Sequence, residues 1–553
     1  MALKLADYFF TNMSKHYDNY IIDHKLLREW VVPRLGRFEH EVDNEKMGKG
    51  KLYFNPKHIT PESILAHRVC SGGLMAGLTN KSRPWFAMQP SDPTVELNAE
   101  IQERLKKNTD LVNSILLKSN FYDETAKLYD DLTLFGQGCM MIEATLDNDV
   151  IHCQTFPQGS YFADINSKGY INKFARKINM SVLQIVEKFG LNALTKKMKI
   201  DYKEGKYSSI HQIKHIIFPN PDYIEEKDLQ PSQKEKFKFI EYYYVNEENE
   251  FFLLKDGNYS VFPVMFPRWQ TMGNDVYACG SPGIDCLGVC MQLQEFELSK
   301  LNIVELSGNI PYIAPAGAKL DLSPGGISIV DEEGQGLKSQ VYPAFSQLSS
   351  IEPITRDIAK SEISIKRCFY VDLFSSLLSM PTNNMTAREV QERHEEKMLL
   401  LGSVLERLSK EFLDPAISRI FSILVDQGKI KDASDDWQPE YTSILHESMK
   451  ANRSDDTKER FVQFLMALGQ IDPKIIQSIK PYTILELFAK DLGLPIEILK
   501  TELEYEQILN EINEQNQNQQ QIELAERAIN SAKTASETKN EDGSTLLDTA
   551  GGL

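Results

Sequence analysis

A chain of 553 residues is longer than one hydrophobic core organises, and at about 150 residues per domain it predicts roughly three or four structural units. Hydrophobic residues at 42%, aromatics at 10% and 24 prolines mark a folded protein and exclude a disordered one. Lys+Arg 61 against Asp+Glu 79 leaves a net charge of -18, which excludes a clamp that grips phosphates over a broad basic face but not a surface past which nucleic acid slides.

The opening stretch MALKLADYFFTNMSKHYDNY has no long apolar run and no small-residue cleavage site, and no run of 18 apolar residues occurs, so neither signal-peptide export nor a membrane span is expected. Seven scattered cysteines (Cys70, Cys139, Cys153, Cys279, Cys286, Cys290, Cys368), with no C-x-x-C pair, fit folding in a reducing compartment. Cys286 and Cys290 can share one helical face, where they read as small buried hydrophobes.

From Asn19 to Gly36 apolar residues recur at helical spacing, with Pro33 as an end or kink. Pro61 to Leu78 predicts another helix, in which Gly72, Gly73, Ala76 and Gly77 permit close packing. Asn98 to Thr145 holds two more helical patterns interrupted at Phe135-Gly136-Gln137-Gly138, and β-rich pieces follow around Tyr161 to Arg176. Met180 to Phe189 predicts a short helix stopped by Gly190, whereas Ile210 to Phe218 and Phe237 to Leu254 are strand-like. Everything to about Pro267 reads as one large α+β unit.

Ser281-Pro282 is an N-cap followed by Pro at the first helical position, and Ile284, Leu287, Met291, Leu298 and Leu301 then form an apolar stripe as far as Gly308. Gly and Pro residues punctuate short apolar runs from Asn309 to Pro353, a small β-rich insertion; Pro353 to Phe374 returns to helix. Two long helices flanking a β insertion predict a projecting hairpin with a structured tip. After the polar Ser379-Met380-Pro381-Thr382-Asn383-Asn384, Met398, Leu401, Leu405, Leu408 and Phe412 recur at alternating spacings of three and four. Asp414-Pro415 reads either as a kink or as the start of a second helix, and the pattern resumes through Ile417, Ile420, Phe421 and Leu424 to Gly428. Helical patterns continue through Ser454 to Leu492, and beyond Glu504 a Gln- and Asn-rich tail predicts a marginal helix fraying into disorder.

No catalytic constellation emerges. Gly48-Lys49-Gly50-Lys51 lacks the spacing and hydroxyl of a P-loop, His394-Glu395-Glu396-Lys397 lacks the second His of a zinc-protease helix, and Gly280-Ser281-Pro282-Gly283 is a helix start and not a nucleophile elbow. Asp331-Glu332-Glu333 reads as an exposed turn in preference to a divalent-ion site. No enzyme activity and no cofactor are expected.

The long-helix segment carries Met385-Thr386-Ala387, Glu389-Val390, Arg393, Glu395-Glu396-Lys397, Leu401-Gly402, Arg407-Leu408, Glu411, Leu413-Asp414-Pro415, Arg419 and Phe421. Upstream, in order, stand Leu78-Thr79, Arg83-Pro84-Trp85-Phe86, Phe135-Gly136-Gln137-Gly138, Phe189-Gly190, Ser281-Pro282 and Leu320-Asp321-Leu322-Ser323-Pro324-Gly325-Gly326. In these residues the chain resembles the head-to-tail connector family, the portal proteins of short-tailed bacteriophages (podoviruses).

The resemblance implies an α+β, predominantly α, portal fold: an N-terminal α+β wing (1–280), stem helix 1 (281–308), a β-rich clip (309–352), stem helix 2 (353–375), a tunnel loop (376–387), a long helix completing the wing (388–450), an α-helical crown (451–504) and the tail (505–553). It implies a homo-oligomeric ring, a dodecamer, at one capsid vertex of the virion, assembled in the host cytoplasm, through which double-stranded viral DNA is packaged, retained and ejected. Expected partners are the terminase large subunit, tail adaptors, and major capsid, scaffold or internal core proteins, with no membrane. Leu378, Ser379, Met380, Pro381, Thr382, Asn383 and Asn384 form the expected DNA-facing loop, and Asp321, Asp331, Glu332 and Glu333 the clip docking surface. Arg356, Lys360, Lys366 and Arg367 read either as sparse basic rungs on the stem or as ion-pair partners of acids such as Asp357 and Glu362. Twelve copies would carry about -216, so DNA is expected to slide and not stick. The rival readings are a packaging ATPase or nuclease, disfavoured by the missing motifs, and a shell or scaffold protein without a conduit.

Overall fold

The computed structural model describes residues 2–38, 55–91, 99–145, 150–221, 223, 237–247, 250–308, 312–313, 342–343, 351–378, 401–430, 437–446, 525–527 and 529–530. The chain divides into Met1–Asn452 and Arg453–Leu553; in the second unit the described residues 525–527 and 529–530 are helical. The described part of the first unit is α+β with helix predominating.

Helix α1 (Ala2–Asp18) buries Ala6, Phe10, Met13 and Tyr17, spaced three or four residues apart, so one face meets the core. It was not expected from the sequence. Helix α2 (Ile21–Trp30) is shorter than the expected Asn19-to-Gly36 segment, and α3 (Glu62–Leu78) matches its own closely. The small residues of α3 divide by position: a Cβ on Gly73 would lie 2.2 Å from the Phe374 ring and one on Gly77 would lie 2.5 Å from Leu445, whereas Gly72 faces open space.

After β1 (Phe86–Pro90) come α4 (Ala99–Lys118) and α5 (Phe121–Phe135), ended by Gly136 at φ 78°. The remainder of the expected helical stretch is strand: β2 (Met140–Ala144) pairs with β3 (Ile151–Thr155). The larger sheet is an antiparallel series of β4 (Tyr161–Ile165), β5 (Ile171–Ser181), β6 (Ile210–Pro219), β7 (Phe239–Glu247) and β8 (Glu250–Tyr259). Between β5 and β6, α6 (Val182–Phe189) starts two residues later than expected because Ser181 is its N-cap, with reciprocal bonds to Gln184. The adjoining α7 (Lys196–Lys203) was not expected.

Tyr243 and Tyr244, adjacent along β7, serve opposite faces of this sheet. Tyr243 packs with Ile185, Met198 and Leu254 under α6 and α7, and Tyr244 packs with Phe10 and Phe174 under α1.

Strand β9 (Val264–Met265) adds to β2, and the chain enters α8 (Pro282–Gly308). Within the expected β insertion, β10 (Tyr312–Ile313) and β11 (Tyr342–Pro343) pair antiparallel; the rest lies outside the described residues. The expected second hairpin helix is two helices, α9 (Ile351–Cys368) and α10 (Val371–Leu378), broken where Tyr370 takes φ 53°, a left-handed conformation unusual for an aromatic residue.

Residues 401–408 are helical, Ser409–Leu413 form a π turn, and α11 (Asp414–Asp426) continues with Pro415 in its first turn. Asp414 is not a fresh N-cap: it takes helical dihedrals and its N–H donates to the Ser409 carbonyl, so the helix continues through the widened turn, with Pro415 just beyond it. Of the seam read from the sequence, Leu401, Leu405, Leu408, Phe412, Ile417, Ile420 and Leu424 are buried, Phe421 is half-buried, and Met398 lies outside the described residues. The helix ends at Asp426, close to the stop at Gly428 read from the sequence, and within the segment 388–450 that the resemblance gives to the long helix β12 (Trp437–Tyr441) instead pairs with β1. None of the helices among the described residues is long and apolar enough to cross a membrane.

Candidate functional site

Helices α8 and α9 pack on each other, and the start of α8 is built by close backbone approach. Ser281 Oγ accepts from the Ile284 N–H at 3.0 Å and donates to the Leu134 carbonyl at 2.9 Å, so the cap of α8 is also its tie to the end of α5. Gly283 admits this contact, since a Cβ there would lie 2.3 Å from the Leu134 oxygen. Gly136 needs both its positive φ and its missing side chain, because a Cβ would lie 2.8 Å from that of Ala278. Beside it, Gln137 Oε1 accepts from the Ala278 N–H at 2.9 Å.

Along α8 the buried face is Cys286, Cys290, Leu293 and Gln294, with the two cysteine sulfurs 3.5 Å apart. The expected stripe is offset from it: Ile284, Leu287 and Met291 are half-buried, and Leu298 and Leu301 are exposed along with Val304 and Leu306. Helix α9 covers one side of α8, so apolar residues on its other sides remain on the surface of the single chain. Gln294, a polar residue on the buried stripe, accepts from the Ile59 and Thr60 N–H groups at 2.6 and 3.1 Å, and its amide donates to the Thr60 carbonyl at 3.2 Å. This ties α8 to the loop ahead of α3. A glutamine in register with Cys286 and Cys290 was a readable signal that the sequence reading missed.

The four candidate cations of α9 do not act alike. Arg356, Lys360 and Arg367 recur with Ile363 on one exposed stripe, opposite the buried Ile358, Ser361 and Ile365. Arg356 lies 3.6 Å from Glu352 and Lys360 lies 2.9 Å from Asp357, both along the helix; such pairs contribute about 0.3 kcal/mol and open readily in water. Lys366 is off this stripe and reaches Glu62 at the start of α3, 3.1 Å away. Three cations thus present one outward face, and the fourth fastens the hairpin to the body.

A further fastening comes from Arg268, buried in the loop ahead of α8. Its guanidinium meets Glu411 at 2.6 Å and also donates to the carbonyls of Asp275 and Gly169, while its backbone N–H donates to Glu411 at 2.9 Å. Glu411 stands in the π turn, whose extra residue sets its direction. At the far end, Tyr441 Oη donates to Asp414, and its ring is parallel to Trp85 at 6.3 Å. Burial pushes the Asp414 carboxyl above its ordinary range, opposed by the hydrogen bond from Tyr441.

Of the expected loop residues, Leu378 ends α10; Ser379, Met380, Pro381, Thr382, Asn383 and Asn384 lie outside the described residues, as do Asp321, Asp331, Glu332, Glu333 and the expected crown.

The family described as bacteriophage head to tail connecting protein matches residues 3–499. The portal protein of Salmonella phage epsilon15 is 30% identical over 530 residues, 94% of this chain and 93% of that protein. The probable portal protein of Bordetella phage BPP-1 is 29% identical over 516 residues, 92% and 90% of the respective chains. Among solved structures, a chain in the neck of an empty gene transfer agent particle is aligned over 84% of this chain and 97% of its own, with 9% identity and a TM-score of 0.33. With the match running from the first helix through the hairpin and the long helix, the chain belongs to the bacteriophage head-to-tail connecting protein family.

Proposed function

We propose that the chain is the portal subunit of a short-tailed phage, closing into a ring, a dodecamer, at one capsid vertex of the virion. Its work is structural and not catalytic. Double-stranded viral DNA passes through the ring during packaging and ejection, and the ring docks the terminase large subunit and later the tail adaptors. Capsid, scaffold or internal core proteins surround it, and assembly takes place in the host cytoplasm.

Family membership over nearly the whole chain supports this reading, and the observation that carries it is the two-sided hairpin. A buried face of α9 packs on α8, and the opposite face offers Arg356, Lys360 and Arg367 to solvent, each of the first two shadowed by an acid. Sparse, internally paired cations on an acidic chain suit a wall along which a polyanion moves: each phosphate finds weak attraction and no lasting clamp. In this reading the α+β unit and long helix form the wing, α8 and α9 the stem, the segment around β10 and β11 the clip, the residues after α10 the tunnel loop, and residues 451–504 the crown. Exposed Leu298, Leu301, Val304 and Leu306 then meet a neighbouring stem, as a ring contact between unlike faces requires.

Negative-stain images of the purified protein test this. Rings with an axial hole are expected; closed shells or featureless monomers under every assembly condition would favour the rival reading, a shell or scaffold protein without a conduit.

A further inference from the structure

The lobe between β5 and β6 inverts the chain's charge. Helix α7 carries Lys196, Lys197, Lys199 and Lys203, all exposed, and none of them pairs with a carboxylate among the described residues. The nearby acids are engaged elsewhere: Asp201 takes bonds from Ser209 and His211, and Glu204 holds Lys206 at 2.7 Å. Ile200 stands among the lysines, three or four residues from Lys196, Lys197 and Lys203, and is 54% exposed.

Further apolar groups surface on the same lobe. Leu183 and Tyr207 are exposed and joined through their backbones at 3.3 Å, and Leu191 is exposed on the 3-10 turn between α6 and α7. An open recess of about 460 Å³ lies beside them, lined by Gly205, Lys206, Tyr207, Ser208 and Ser209. Met198, Ile185 and Leu194 fill the interior beneath, so the lobe does not need these outer residues for its own core. Exposed large apolar side chains and unpaired lysines on one lobe, in a chain of net charge -18, make its surface both apolar and cationic.

We propose that this lobe is a docking surface for an acidic amphipathic segment of a second protein. The apolar side chains of that segment seat on Ile200, Leu183 and Tyr207, and its carboxylates meet Lys196, Lys197, Lys199 and Lys203. The aliphatic groups favour a protein over nucleic acid, because Ile and Leu gain nothing from phosphates, and the cations are lysines, without the planar fork that recognises phosphate in two-point fashion. The unpaired charges supply the complementarity for an acidic partner and not for a basic or neutral one.

The test uses the full-length protein and a fluorescent synthetic peptide with Glu and Leu at helical spacing, followed by anisotropy. Binding that weakens with salt is expected, and Ile200→Ser and the pair Lys196→Glu/Lys199→Glu should each weaken it by about tenfold while leaving melting and self-assembly unchanged. A peptide with Ala in place of Leu should bind more weakly to the wild type. Three results overturn the proposal: peptide affinity indifferent to both substitutions, duplex DNA displacing the peptide and losing its own binding in the lysine variant, or loss of self-assembly in that variant, which would make the lobe an interface between copies.

Discussion

Arg268 Nη2 and Glu411 Oε1 meet at 2.6 Å, although the whole α8–α9 hairpin separates the two residues in sequence. The pair joins the loop before α8 to the π turn of the long helix, a contact between two segments far apart in the chain. Its strength lies in the number of acceptors that Arg268 holds at once: Glu411, the Asp275 carbonyl and the Gly169 carbonyl.

Removing one partner strands the other. Glu411→Ala leaves a guanidinium that is only 5% exposed without its counter-charge, and is expected to destabilise the subunit by about 3 kcal/mol, in the range for a broken buried pair. Arg268→Ala should cost a similar amount, and the double substitution less than the sum of the two. Chemical denaturation of the three variants measures the coupling; strictly additive effects would mean that the pair does not act as a unit.

The root glycines give opposite expectations for the same substitution. Gly283→Ala forces a Cβ to 2.3 Å from the Leu134 carbonyl, and should destabilise by about 2 kcal/mol and impair ring assembly by tilting α8. Gly288→Ala, five residues further along, meets open space and should stabilise the isolated subunit by roughly 0.5–1 kcal/mol. Thermal melting of both variants checks the contrast, and equal shifts of the same sign would refute the packing described at the root.

This contrast also shows what the sequence made legible. Ser281-Pro282 and Gly308 bounded α8 correctly because cap chemistry is local, and the seam from Leu401 to Leu424 was readable because it repeats. The buried face of α8 was legible in part: Cys286 and Cys290 read as small buried hydrophobes on one face, as they are, whereas the stripe through Ile284, Leu287 and Met291 is only half-buried, because α2, α5 and α9 together decide which side of this largely apolar helix is covered. Strand β12 contains Pro439 and finds its partner β1 about 350 residues earlier, beyond any local pattern. Helix α1 had the spacing, in Ala6, Phe10, Met13 and Tyr17, but its apolar residues were weighed only as a possible export signal. Of the candidate residues, the structure separates Lys366 from the other three cations, a distinction set by Glu62 on a distant helix.

Two buried histidines set the acid limit. His24 and His215 are both lowered to about 4, chiefly by burial; around His215, Arg176 and Lys188 push further down and Glu241 pulls up. His215 accepts from Arg176 Nε at 3.0 Å and donates to Glu241 at 2.7 Å, which fixes the neutral tautomer across β5, β6 and β7. Above the unfolded pKa of about 6.5, folded and unfolded states bind equal numbers of protons at these sites. Between about 6.5 and 4 the unfolded state binds more, so stability falls as pH drops through that window, by up to about 3 kcal/mol for each histidine. Denaturation midpoints across the window measure this, and a flat profile would contradict the burial of both rings.

The cations of α9 provide the sharpest test of the conduit. Arg356, Lys360 and Arg367 lie on the exposed stripe, where their intrahelical pairs contribute little, so reversing Lys360 and Arg367 to Glu should leave the melting temperature and ring formation nearly unchanged. Packaged length or retention of DNA should nevertheless change, because a wall that carried weak attraction at those heights would now repel. Lys366→Glu has the reverse signature. It places a carboxylate against Glu62, formerly 3.1 Å from the ammonium, and should loosen the hairpin from α3, lowering stability by about 1 kcal/mol with an effect on DNA only through assembly. Were Lys360 and Arg367 ring-interface residues instead, their reversal would act like that of Lys366, reducing assembly first. Ring yield and DNA retention, measured side by side for the two variants, separate a lumen-facing stripe from a neighbour-facing one.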